Sequence, residues 1–94
     1  MVSRSELEFA FDAAIAEVQK SMKAGMKTIR GEPASAYLQQ LDDELKVERT
    51  RAVERGVVDR EWFQTTIRGL VEWVPETELS LIAALGRIVR SAPK

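Results

Sequence analysis

Apolar residues recur at steps of three and four along nearly all of this chain, and Gly31, Pro33, Gly56 and Pro75 interrupt the pattern. That spacing gives an α-helix one buried side and gives a strand no consistent face. The interruptions divide the chain into four helical segments. No strand pattern, internal repeat or low-complexity tract competes with them. At 94 residues the chain suits one domain, because two would each be too small to bury a stable core. The expected fold is all-α: an antiparallel bundle of about four helices across residues 1–94, joined by short turns.

In the first segment Ser3 with Glu6, and Ser5 with Glu8, each match a capping box. Leu7, Phe11, Ile15, Val18, Met22, Met26 and Ile29 follow on one face, with carboxylates crowding the front and cations the back. Gly31 and Pro33 end the segment. If the helix ran unbroken past Gly25 it would be about 37 Å long. It would then overhang a domain whose radius of gyration should be near ~12–13 Å. Either Gly25 breaks the helix, or its end packs on another chain, which makes a homodimer attractive.

The second helix is expected to start at Pro33, with a seam of Ala34, Leu38, Leu41, Leu45 and Ala52. The seam spans about 60° of arc between charged flanks, which suits a peripheral helix or a coiled-coil partner. Gly56 should stop it. Asp59 is a good N-cap for the third helix, and Val58 with Phe63 occupy the positions of a hydrophobic staple. Trp62, Phe63, Ile67, Leu70, Val71, Trp73 and Val74 cover about half of its circumference, so this helix is expected at the centre. Pro75 ends it. The fourth opens at Thr77 or at Pro75-Glu76, and buries Leu81, Ile82, Leu85, Ile88 and Val89.

Composition narrows the chemistry. With no histidine and no cysteine there is no ordinary zinc site, no Ser–His or Cys–His catalysis and no disulfide. Asp42, Asp43 and Glu44 fan around a helix, and Glu44 with Glu48 would make only half of a carboxylate site. The five glycines are scattered, so no phosphate loop is present. No catalytic residue, metal or cofactor is expected, and the chain reads as a non-enzyme. No apolar run approaches the roughly 20 residues that span a bilayer, and no apolar signal core follows Met1. A cytoplasmic, non-membrane protein is expected.

Two binding surfaces stand out. The edge formed by Trp62, Gly69 and Trp73, with the Leu38, Leu41 and Leu45 seam, would suit a helical partner or a second copy of the chain. Lys20, Lys23, Lys27 and Arg30 would form one helical row able to track the phosphates of a nucleic acid, although a solvated face is the plainer reading. The turn Ala52-Val53-Glu54-Arg55-Gly56-Val57 has the spacing of a helix-turn-helix corner. Asp59 and Glu61 at its recognition end would repel phosphate, so a glycine-stopped helix followed by a capped one is expected instead. The function read from sequence is a self-associating protein–protein interaction or regulatory module, with nucleic-acid binding as the alternative.

Overall fold

The first helix, α1 (Arg4–Lys23), has an inward face wide enough for two neighbours. Leu7, Ala10, Phe11, Ala14, Val18 and Ser21 are buried, and Ile15 and Met22 pack partly against the same core. At 100° per residue these side chains span about 140°. Ala10 and Ala14 contribute no bulk, so neighbouring helices can approach the backbone there. α2 (Ser35–Arg55) packs along α1, as does α4 (Leu79–Ser91), and α3 (Arg60–Trp73) rests on α4. The described residues of this computed structural model, 4–73 and 79–91, are thus all-helical and packed as a bundle, with one isolated β-bridge. At Arg4, Ser5 and Trp73 the backbone alone is described.

The centre is therefore α1 and not α3. Phe63 and Leu70 of α3 are buried and Trp62 and Ile67 partly so, but Val71 is 60% exposed. Its apolar residues outnumber the surfaces available to cover them. α3 reaches α1 through Phe63, whose ring meets Phe11 edge-on at 5.8 Å between centroids. Polar contacts fix the register of α1 with its neighbours. Asp12 pairs with Arg49 at 2.8 Å, and Gln19 lies 3.5 Å from Asp42. Ser80 donates to Glu17 at 3.2 Å, and the Arg87 guanidinium sits 5.2 Å above the Phe9 ring. In both pairings, moving back along α1 means moving forward along its neighbour.

α1 ends where the chain first meets a glycine. Gly25 takes a φ of +68°, a left-handed conformation that side chains resist. The Met26 N–H reaches the Ser21 carbonyl at 3.1 Å and the Gly25 N–H reaches Met22 at 3.1 Å, the paired bonds of a Schellman stop. The helix has 20 residues, or about 30 Å, within a molecule of 41 × 20 × 17 Å. The overhang that would have called for a second chain does not arise.

Beyond the stop, residues 26–34 fold back on themselves. Lys27 bridges Pro33, Gly31 (φ +81°) closes a turn onto the Thr28 carbonyl at 2.8 Å, and the Ala34 N–H returns to Met26 at 3.2 Å. This small hairpin buries Met26 and Ala34 and leaves Ile29 exposed at its tip. Because Pro33 belongs to the bridge, α2 begins two residues later, at Ser35. Gly56 (φ +69°) closes α2 with its N–H on the Ala52 carbonyl at 2.8 Å, and the Asp59 carboxylate caps α3 by accepting the Trp62 N–H at 3.0 Å. Leu81, Leu85 and Ile88 of α4 are buried as their spacing requires, while the expected opening of α4 at residues 75–77 lies outside the described residues.

No atom crowds the position of a Cβ on Gly25, so the cost of a side chain there is conformational alone. Gly25→Ala is expected to destabilise the fold by about 1–2 kcal/mol, measured by urea denaturation. An unchanged midpoint would contradict the assigned helix stop.

Candidate functional site: the outer face of α2 and α3

The corner between α2 and α3 is short because each of its ends is fixed by a cap. Gly56 stops one helix, Asp59 starts the next, and Val57 and Val58 lie between them. Val58 tucks partly against the core as the staple requires, whereas Val57 is 61% exposed. Around this corner the surface is concave. A cleft of about 560 Å³ is lined by Glu48, Arg51, Arg55, Val57, Val58, Asp59 and Arg60. A second hollow of about 270 Å³ lies between the helices, bordered by Asp43, Glu44, Val47, Glu48 and Trp62. Glu48 borders both. Trp62 is half-buried on the rim of the smaller hollow and meets the neighbouring Phe63 ring at right angles, 4.8 Å between centroids. Phe63 thus fills the core while Trp62 remains at the surface.

One charge on this face is out of the ordinary. Glu48 is only 7% exposed, and its carboxylate meets the Arg51 guanidinium at 3.3 Å. Burial raises its pKa above the usual glutamate range, Arg51 opposes the shift, and Asp59 and Glu44 add to it. The carboxylate is paired with a cation from one turn along the same helix. Asp42, also buried, is better served, with Lys46 at 2.9 Å and Gln19 beside it.

The residues singled out from sequence are dispersed. Trp62 lies on the concave face. Gly69 sits mid-helix in α3 with open space where a Cβ would stand, and the Trp73 side chain lies outside the described residues. Leu38, Leu41 and Leu45 are fully or almost fully buried in the chain's own core, on the helix that packs along α1. They are not available to a partner. Lys20 and Lys23 occupy the last turn of α1, but Lys27 and Arg30 lie beyond Gly25 in the hairpin, so the four exposed cations share no helical row. α3 packs on α4 and forms no comparable interface with α2, unlike the paired helices of a helix-turn-helix.

The candidate site residues of the sequence did not include Val47, exposed on the hollow that Trp62 borders, or Val57, Arg51 and Arg55, exposed along the larger cleft. A signal for Val47 was present: it is an apolar residue on the charged side of an amphipathic helix. Among the described residues no cluster of three carboxylates converges to hold a metal ion. None of the described helices is long and apolar enough to cross a membrane. No family model, curated protein or solved structure matches the chain.

Because burial raises the folded-state pKa of Glu48, the protonated form is the one the fold favours. Its contribution is full below the ordinary glutamate range and declines as pH rises through that range toward the raised value. Glu48→Gln is therefore expected to match or exceed the wild type in stability at neutral pH, with the difference moving against the variant on acidification. Thermal melts across pH check this, and a variant less stable at neutral pH than at acid pH, relative to wild type, would contradict it. Gly69→Ala, placed in a helix interior facing open space, is expected to add about 0.5–1 kcal/mol. A loss of stability in urea melts would show that the backbone there is closely approached after all.

Proposed function

We propose that the chain is a small protein-interaction module whose docking surface is the outer face of α2 and α3, and that it acts by binding and not by catalysis. The reading is carried by one observation: Val47, Val57 and Trp62 surround adjoining hollows and are ringed by charged side chains. Away from this face Ile29 is exposed at the hairpin tip, and Phe9 is exposed with the Arg87 guanidinium over its ring. An aromatic anchor beside aliphatic contacts, with a charged rim, is the usual anatomy of a protein interface. No histidine or cysteine stands near the hollows to supply a nucleophile or a proton shuttle, since the chain contains neither.

The surface is tested by placing a photo-crosslinking residue at position 47 or 57, and at exposed Ala83 on α4 as the reference, in cells of the native host. Discrete crosslinked species are expected from positions 47 and 57 and not from 83. Equal yields at all three, or none at 47 and 57, would overturn the assignment.

A further inference from the structure

The outward stripe of α2 reads Gln40, Glu44, Val47, Arg51, Arg55, each one helical turn from the next. Gln40, Val47, Arg51 and Arg55 are exposed and Glu44 is half-buried, and the stripe runs about 110° around the helix from the buried Leu38, Leu41, Leu45 and Ala52. The stripe is about 22 Å long, acidic toward its start, apolar in the middle and basic toward its end. A surface with that order is complementary to its own inverted copy. In a parallel pairing Glu44 would face Glu44 and Arg51 would face Arg51, which is repulsive at both ends.

We infer that the docking surface proposed above receives a second copy of this chain, related by a two-fold axis that passes beside Val47 and sets α2 antiparallel to its partner. The inference rests on the interaction-module reading and names the occupant of its surface. In a two-fold arrangement every contact occurs twice. With the axis between positions 47 and 48, Glu44 of each chain faces Arg51 of the other, and Gln40 faces Arg55. Val47 lies next to the axis, where the 270 Å³ hollow bordered by Trp62 and Glu44 gives room for the partner's valine. Arg51 already holds Glu48 at 3.3 Å, so the partner's Glu44 would complete a cluster of two carboxylates around one guanidinium. Arg55, at the basic end, is exposed and borders the larger cleft, on the same side as the partner's Gln40.

This geometry makes a specific demand on mixtures. Glu44→Arg places two cations on the stripe and Arg51→Glu places two carboxylates there. Each variant alone then repels its own copy, yet the two are complementary to one another. By light scattering behind a sizing column, the wild type is expected to dimerise with rising concentration, and each single variant to associate at least about tenfold more weakly. An equimolar mixture of the two variants, and the double variant E44R/R51E, are both expected to recover the dimer. Circular dichroism melts establish that each variant is folded. A wild type that stays monomeric at the highest attainable concentration overturns the inference. So does a mixture no tighter than its components. In either case crosslinks from position 47 to a different protein would leave the docking surface in place, whereas their absence would remove both readings.

Discussion

Everything in this molecule depends on α1 being buried from two sides. A helix covered by one neighbour needs a stripe; a helix between two needs a wider arc, and its backbone must admit close approach. Ala10 and Ala14 meet that need, with Phe11 and Val18 filling the space between the neighbours. Asp12 and Gln19 on one side, and Phe9 and Glu17 on the other, set the registers of α2 and α4. With α1 committed to α2 and α4, α3 is left to pack on α4 and to touch α1 through Phe63. That displacement toward the outside keeps Trp62 at the surface and opens the hollows between α2 and α3.

The helices were legible in the sequence because their ends are chemical. Gly56 and Asp59 act as the stop and the cap that their residue types imply, and the faces of α2 and α4 follow from spacing alone. Two things were harder to read. Counting apolar residues placed α3 at the centre, since Trp62, Ile67, Leu70 and Val71 are large, whereas the residues that make α1 central are alanines. Small side chains carry little hydrophobic weight in a pattern, yet they determine how closely helices approach. Gly25 was the second difficulty, because a glycine inside a helical spacing is compatible with continuation as well as with a left-handed stop. The Ser21 and Met22 carbonyls resolve it in favour of the stop.

Those two points account for what became of the candidate sites. A continuous first helix would have aligned Lys20, Lys23, Lys27 and Arg30, and its break divides them between two elements. A peripheral second helix would have left Leu38, Leu41 and Leu45 for a partner, but α1 takes them. What remains open is the other side of α2, where charges predominate and one valine stands among them. A surface of that composition is weakly apolar, so any specificity must come from the order of its charges and from the tryptophan at its edge. The buried Glu48 beside Arg51 belongs to the same face, where burial holds its pKa above the usual glutamate range and Arg51 opposes the shift.

The most direct test of this account is a dilution series of backbone amide NMR spectra of the full chain. The account predicts concentration-dependent shifts confined to residues 40–62, centred on Val47 and including the Trp62 indole, with residues 20–31 unmoved. Shifts centred on Lys20 to Arg30 instead, or spectra independent of concentration throughout, would contradict it.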